Sequence, residues 1–199
     1  MAIIGLSKPY YAIYKNTDGV VTYSNGGVMG KAVNMNTAPE TTEDSNLYAD
    51  NGVAESERAF SGGKVSITTD HLTQEVTKAL LGVTEKETTI EGIEETVEEL
   101  VFDDDMNAPY LGIGYIIKAK KNGAYVWRAV VLLKVMFSIP EESATTQGET
   151  IEWQTPELSA TIMKSDEAKH PWKRQADLST EANAETYIKH ILNITAAAK

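Results

Sequence analysis

Cysteine is absent from this chain of 199 residues. Disulfide bonds, thiolate metal sites and cysteine nucleophiles are therefore excluded, and thiol chemistry indicates no compartment. Long apolar runs are absent too, because no segment approaches the roughly 20 apolar residues that a membrane-spanning helix requires. The opening stretch, MAIIGLSKPYYAIYK, lacks the basic head and long apolar centre of a secretory signal. We therefore expect a protein that is made in a cytoplasm and has no membrane partner.

Basic charge is scarce, and the excess of acid is concentrated in one segment. The net charge is −11, and residues 85–105 hold ten acids against Lys86 alone, whereas the other 19 acids and 17 bases nearly balance. A protein that binds nucleic acid tightly needs a basic stripe that releases phosphate counterions, so such binding is disfavoured. The acidic segment is either a solvated loop or a wall that repels phosphates.

The longest pattern is a hairpin over residues 110–139, whose turn contains Asn122-Gly123. This dipeptide readily takes the two left-handed conformations of a tight turn between antiparallel strands. Alternate residues of the second arm are apolar, which predicts one wholly apolar face. They are Tyr125, Trp127, Ala129, Val131, Leu133, Val135, Phe137 and Ile139. Unless bulges shorten it, a strand of this length is typical of a scaffold rather than a pocket.

Shorter extended segments accompany this hairpin. Residues 10–16 and 20–24 predict a first hairpin, residues 46–51 and 53–60 predict a second one, and residues 64–69 predict a further strand. Residues 25–45 contain glycine, asparagine, threonine and proline with little periodicity. Their composition predicts a long loop, which in a compact domain is usually functional or disordered.

Two helices are predicted. The first has Asp70 as its N-cap and Gly82 as its left-handed terminator. The second covers residues 181–193, is capped by Ser179 or Thr180, and has apolar residues at helical spacing. The acidic segment fits both a helix and an extended chain. Together these elements predict an α+β, mainly β, single domain over residues 1–199.

No catalytic, cofactor or metal motif is present in the sequence. The three histidines are His71, His170 and His190. They lie far apart along the chain and have no metal-ligand spacing. Gly112-Ile113-Gly114 lacks the third glycine and the following helix of a dinucleotide fingerprint. Residues 103–107 imitate the start of an EF-hand loop, but Ala108 and Gly114 occupy its glycine and glutamate positions. We therefore expect no enzyme, no cofactor and no metal.

Four segments, in their order and spacing, resemble the major tail proteins, or tail tube proteins, of long-tailed bacteriophages. They are LYADNGVAESERAF, GGKVSITTDHLTQEVTKALLG, APYLGIGYIIKAKKNGAYVWRAVVLLKVMF and TTQGETIEWQTPELSATIM. The resemblance covers approximately residues 46–163. It implies an antiparallel β-sandwich or barrel-like core flanked by a helix, with six subunits per ring and rings stacked into a hollow virion tail tube.

The same resemblance implies partners and contact residues. The partners would be further copies of the chain and other tail proteins, such as the tape measure and the terminator. DNA would pass through the lumen without specific binding. The candidate lumen-facing acids are Glu94, Glu95, Glu98 and Glu99. The candidate residues for contact between rings are Val28, Met29, Lys31, Val33 and Met35.

Two other functions stay open. A β-sandwich binding module for carbohydrate or protein, carried on a larger assembly, would expose a cluster of aromatic side chains. The candidates are Tyr10, Tyr11, Tyr14 and Tyr23, although we expect them to pack within the first hairpin. A tube protein of a related secretion or bacteriocin system would have the same type of fold. A binding module would stay monomeric, whereas a tube protein would form rings or polymers.

Overall fold

The computed structural model describes residues 2–146 and 153–195. Within these residues the chain forms twelve strands and two helices. The strands are β1 (Ala2–Thr17), β2 (Val20–Val28), β3 (Ala32–Thr41), β4 (Ser45–Ala49), β5 (Gly52–Glu57), β6 (Phe60–Thr69), β7 (Thr84–Thr88), β8 (Val97–Val101), β9 (Leu111–Lys121), β10 (Ala124–Phe137), β11 (Glu157–Met163) and β12 (Lys173–Leu178). The helices are α1 (Gln74–Leu81) and α2 (Glu181–Ile191).

One antiparallel sheet contains eight of these strands. Its order is β2-β1-β9-β10-β11-β6-β3, and β12 also pairs with β10. The other four strands form two separate hairpins, β4-β5 and β7-β8. The path does not close, so β2 and β3 are its two ends. The predicted fold class is confirmed, because the chain is mainly antiparallel β with flanking helices, and the sheet is sandwich-like rather than a closed barrel.

Tight turns form the hairpins that the sequence predicts. Asp18 and Gly19 join β1 to β2 with φ values of 51° and 82°, and Asn122 and Gly123 join β9 to β10 with 50° and 85°. Two successive positive φ values suit the twist of paired strands. The hairpin predicted within residues 46–60 also forms, as β4 and β5. Of the last stretch that carries the resemblance, residues 145–163, residues 147–152 lie outside the described residues, and β11 begins at residue 157.

A bulge in β10, between Leu132 and Val135, divides the long strand. Residues up to Leu132 pair with β12, and those from residue 134 onward pair with β11. Leu133 packs in the cluster against α2, whereas Val135 packs in the cluster on the opposite side of the sheet. The prediction of one continuous apolar face over residues 125–139 is therefore wrong, because the bulge moves the later odd-numbered residues to the other face.

Two hydrophobic cores lie on either side of the central strands. The main core contains side chains from β1, β6, β9, β10, β11 and α1, so the sheet curls around it into a sandwich. The second core lies between the opposite face of the central strands and α2, which contributes Ala184, Ile188 and Leu192. Because β9 and β10 are covered on both faces, most of their length is apolar without alternation.

Helix α1 begins later than predicted. Its N-cap is Thr73, whose hydroxyl accepts a hydrogen bond from the backbone N–H of Val76, at 3.3 Å. The assignment of Asp70 as the N-cap is wrong, because the Asp70 carboxylate instead accepts the backbone N–H of Lys31, at 2.8 Å. The end of the helix is as predicted, since Gly82 has a φ of 66°.

Helix α2 is capped by Thr180, one of the two predicted N-cap residues. The helix lies close to β9 because two glycines leave room for it. A Cβ atom on Gly112 would lie 2.6 Å from Leu192 Cδ2, and one on Gly114 would lie 2.3 Å from Ile188 Cγ2. The glycines that imitate a dinucleotide fingerprint therefore allow close helix packing.

Polar contacts fix α2 to β1. The carboxylate of Glu185 accepts a hydrogen bond from the Tyr10 hydroxyl at 2.8 Å, and it forms ion pairs with Lys189, at 2.7 Å, and with Lys8. The hydrogen bonds from Lys189 and Lys8 lower the pKa of Glu185 to about 2. The last helix is thereby attached to the first strand by a charged cluster at the edge of the second core.

The prediction of a long loop over residues 25–45 is wrong for most of its length. β2 continues to Val28, and the ten residues of β3 pair antiparallel with β6. Glycine and asparagine suggested a loop, but an edge strand needs only one neighbour, and it tolerates Pro39, which has no N–H to donate. The segment is thus ordered by its pairing with β6 rather than by an apolar face of its own.

Candidate assembly surfaces

The hairpin of β4 and β5 leaves every one of its strand side chains exposed. Leu47, Tyr48 and Val53 are 60%, 67% and 54% exposed. A lone two-stranded hairpin is at best marginally stable in water, and these apolar side chains gain little from folding within the subunit. The sequence predicts the hairpin but not its exposure, because β-propensity does not reveal what covers a strand. A surface of this kind is typical of a contact with another molecule.

One face of this hairpin combines an apolar side chain with two acids. The pairing places Leu47 opposite Glu55 and Ser45 opposite Glu57. Because side chains alternate along a strand, these four residues share one face, which we call the Leu47 face. An open depression of about 310 Å³ is lined by these four residues together with Asn46 and Ser56. At the base of the hairpin, an Arg58–Asp44 ion pair joins the two chain segments that lead into it.

The residues predicted to contact another ring lie at the turn from β2 to β3 and in β3. Met29 is 1% exposed and belongs to the main core, which corrects the prediction for this residue. Met35 is partly buried against the same core. Val28 and Val33 are 50% and 55% exposed, and Lys31 is exposed as well. These three residues, beside an open sheet edge, are the accessible part of the predicted set.

Asp70 fixes the turn that carries Lys31. Its carboxylate accepts the backbone N–H groups of Lys31 and His71, at 2.8 and 3.0 Å. The hydrogen bond from Lys31, followed by the nearby His71, lowers the pKa of Asp70. A Cβ atom on Gly30, which has a φ of 139°, would lie 2.9 Å from the His71 carbonyl oxygen. The position of Lys31 is therefore determined by the turn, not by the composition of a flexible loop.

The acidic segment is extended rather than helical, and it is not a simple loop. β7 and β8 pair with each other, with Lys86 opposite Glu99 and Glu87 opposite Glu98. The four predicted acids, Glu94, Glu95, Glu98 and Glu99, are called here the four hairpin acids. Glu99 is half-buried and accepts the Thr88 hydroxyl at 2.8 Å, whereas the other three are exposed. Glu87 and Glu98 face each other, and such a like-charge pair disfavours the hairpin, whereas Lys86 offsets part of the negative charge by pairing with Glu99 at 3.6 Å.

A surface of opposite charge lies beside the turn between β9 and β10. The pairing places Lys118 opposite Trp127 and Lys120 opposite Tyr125, on one face, which we call the Lys–Tyr patch. Lys118 Nζ lies 4.6 Å from the centre of the Tyr125 ring, and Lys120 Nζ lies 5.9 Å from it. Tyr125 is 51% exposed. Cation–π contacts therefore hold two ammonium groups over a partly exposed ring.

The sequence contains the signal for this patch, but sequence reasoning missed it. Lysines at positions 118 and 120 and aromatics at 125 and 127 are arranged symmetrically about Asn122-Gly123. A tight turn at that dipeptide brings such positions into register across the two strands. The near balance of 19 acids and 17 bases outside residues 85–105 conceals this local arrangement, because residues 110–139 by themselves contain five bases and no acid.

The histidines make only local contacts. His71 Nδ1 lies 2.8 Å from Asp70 Oδ1, and His170 Nδ1 lies 3.1 Å from the Ser165 carbonyl oxygen. Across residues 2–146 and 153–195, no group of three or more His, Asp or Glu side chains is arranged to hold a metal ion. In the same residues, no helix is both long and apolar enough to cross a membrane.

The aromatic cluster considered for a binding module lies in the interior. Tyr10, Tyr11, Tyr14 and Tyr23 are between 4% and 6% exposed. The Tyr23 hydroxyl donates a hydrogen bond to the Leu133 carbonyl oxygen, and the Tyr14 hydroxyl donates one to the Asp166 carboxylate, both at 2.8 Å. The four tyrosines are buried, as expected, but they pack beyond the first hairpin, with Tyr11 in the main core and the other three in the second core. They provide no exposed platform for a ligand.

No protein-family model and no curated protein matches this chain. The described residues nevertheless present four distinct exposed features, which are the β4-β5 hairpin, the β3 edge, the acidic hairpin and the Lys–Tyr patch. All four are open surfaces, which suit contact with other macromolecules better than the enclosure of a small substrate.

Proposed function

We propose that this protein is the structural subunit of a phage tail tube, which forms stacked six-subunit rings around a lumen that conducts DNA. The observation that carries the proposal is the β4-β5 hairpin, which exposes three large apolar side chains and buries none of its strand residues in the subunit. Such a hairpin gains stability when a partner covers it. The resemblance of residues 46–163 to tail tube proteins supplies the identity of that partner, a further copy of the chain.

The sheet edges support repeated self-association. Among the described residues, β2 and β3 end the strand order. The outer side of β2 is partly covered, because Asn193 donates a hydrogen bond to the Tyr23 carbonyl oxygen at 3.1 Å, so β3 is the more open edge. An unpaired strand edge is a template for a strand from another chain. A contact between two different surfaces of identical subunits closes into rings when the rotation permits, and it extends into a filament otherwise. Rings in one direction and stacking in the other would give a tube.

The charge distribution fits the proposed lumen. The four hairpin acids would repel the phosphates of passing DNA, and their repetition around each ring would multiply the field. The protein would then act in the virion tail with further copies of itself and with other tail proteins, such as the tape measure and the terminator. DNA would pass without specific binding.

Assembly of the purified protein tests the proposal. We expect rings and tubes in negative-stain images at high concentration, together with a concentration-dependent sedimentation coefficient. A variant in which residues 46–56 are replaced by Asn-Gly should stay monomeric and melt near the parent temperature, because no strand residue of the hairpin is buried in the subunit. Dispersed monomers of the parent at every concentration, and also in particles from the native source, would contradict the proposal.

A further inference from the structure

The Leu47 face and the Lys–Tyr patch have complementary chemistry. The first presents Leu47 directly opposite Glu55, with Glu57 beside them opposite Ser45. The second presents an aromatic ring, Tyr125, beside two lysines. Each has an apolar centre with charge of one sign, and the two signs are opposite. Complementary potentials of this kind favour correct encounter and suppress other orientations.

The charges are also spaced alike. Glu55 and Glu57 lie two residues apart on β5, and Lys118 and Lys120 lie two residues apart on β9. In a strand, residues i and i+2 point to the same face and are separated by about 6.8 Å. A β5 strand laid along β9 therefore brings both carboxylates to both ammonium groups at once. Leu47, which is opposite Glu55, then falls near the Tyr125 ring, which is opposite Lys120.

Among the described residues, the centre of each surface is exposed, while Lys118 and Trp127 of the patch are half-buried. Leu47 is 60% exposed and Tyr125 is 51% exposed. The hairpin lies between β3 and β6, which end one side of the sheet order, whereas the patch lies on the central strands β9 and β10. Two different surfaces that are used once each by every copy give a head-to-tail contact, which closes into a ring when the rotation permits and otherwise extends into a filament.

We infer that the Leu47 face of one subunit docks on the Lys–Tyr patch of a second copy of this chain. This inference rests on the proposed self-assembly and adds the surface that receives the hairpin. Glu55 and Glu57 pair with Lys118 and Lys120, while Leu47 covers the exposed part of Tyr125. The lysines stay over the aromatic rings, so the receiving surface is already ordered in the free subunit.

Charge reversal tests the contact. Lys118→Glu with Lys120→Glu, and separately Glu55→Lys with Glu57→Lys, should each raise the concentration needed for assembly at least about tenfold, since like charges then face each other. The variant with all four changes should assemble near the parent concentration, because opposite signs are restored. Lys15→Glu with Lys64→Glu changes the net charge equally at two exposed lysines elsewhere and should have little effect.

Cross-linking gives a second readout that needs no tube. The chain has no cysteine, so a single introduced thiol is unique. Ser45→Cys marks the Leu47 face, and Ala2→Cys marks the patch, because Ala2 pairs with Lys120. A mixture of these two variants should form a disulfide-linked dimer on oxidation. Ser45→Cys mixed with Thr17→Cys, at the far end of β1, should not.

The outcomes separate the inference from the proposed function. Tubes of normal stability from both double variants would overturn the docking site and leave the tube proposal standing. A specific cross-link without rings or tubes would support the docking site and count against the tube. Equal cross-linking at Ala2→Cys and Thr17→Cys, or none at either, would overturn the docking site whether or not the parent polymerises.

Discussion

Leu133 and Val135 lie two residues apart on β10, and we predict that they are coupled to different parts of the protein. Both are fully buried, Leu133 in the cluster that contains Ile188 of α2 and Val135 in the main core. A regular strand would direct both side chains to one face. The variants are Leu133→Ala and Val135→Ala, each made alone and together with Ile188→Ala. Comparing the two double variants shows which of the two side chains shares a core with α2.

The expected magnitudes follow from burial. Leu133→Ala and Ile188→Ala should each lower the free energy of unfolding by about 2–5 kcal/mol, because each removes buried methyl groups and leaves a cavity. Two residues in one cluster should show a coupling energy of about 0.5–3 kcal/mol in the double variant. Val135→Ala and Ile188→Ala should instead be additive within about 0.5 kcal/mol, since the sheet separates them.

Urea unfolding, followed by tryptophan fluorescence and by circular dichroism, measures these differences, and coincident transitions justify the two-state treatment. Met136→Ala is the control on the same strand, because Met136 is 38% exposed, and it should cost below about 1 kcal/mol. Equal coupling of Leu133 and Val135 to Ile188 would refute the assignment of the bulge. So would a negligible effect of Leu133→Ala.

Three further predictions concern α2, its anchor and the acids. Gly114→Ala should lower the free energy of unfolding by about 1–3 kcal/mol, because the new methyl group would collide with α2. Gly62→Ala is the control, since a Cβ atom there would lie 3.6 Å from the nearest atom, and thermal melts should show a change within about 0.5 kcal/mol. The depressed pKa of Glu185 means that its stabilising contribution is complete above pH 4.5 and is lost as the pH falls toward about 2. Glu185→Gln should therefore lower the free energy of unfolding by about 1–2 kcal/mol at pH 7, and it should flatten the dependence of that free energy on pH between those pH values. An unchanged pH dependence would show that the ion pairs contribute nothing. Replacement of the four hairpin acids by lysine should leave assembly intact and slow DNA passage. The tubes should then retain DNA at about 50 mM salt and release most of it at about 200 mM. DNA passage and retention equal to those of the parent would place the acids outside the lumen.

Local elements of this fold are predictable from the sequence because single residues determine them. Asn122-Gly123 takes two positive φ values, Gly82 ends α1 in the left-handed conformation, and Thr180 caps α2. Each effect depends on the backbone preference of the residue itself and needs no distant partner. The same independence explains why the predicted hairpins and both helices are present.

Features that depend on contact with a residue distant in the sequence cannot be predicted in this way. β3 is ordered because it pairs with β6, and no sequence pattern within residues 32–41 indicates that β6 is its partner. The bulge in β10 leaves the alternation of apolar residues unbroken in the sequence, because both faces of the strand are covered. The candidate surfaces have the same limit, since the exposure of Leu47 and the burial of Met29 depend on how the sheet curls.

The pairing of β1 with β9 determines when this protein can fold during synthesis. β1 is made first, yet its neighbour β9 begins only at residue 111, and the Tyr10 hydroxyl bonds to a carboxylate 175 residues further along the chain. At about 5–20 residues per second, the ribosome needs roughly 5–20 seconds to add the intervening hundred residues. Contacts so distant in sequence make folding slow, and they leave apolar strands unpaired during the delay. We therefore expect the nascent chain to require protection until α2 has emerged from the ribosome, so that the subunit becomes competent for assembly only once β1 has both β9 and α2 to pack against.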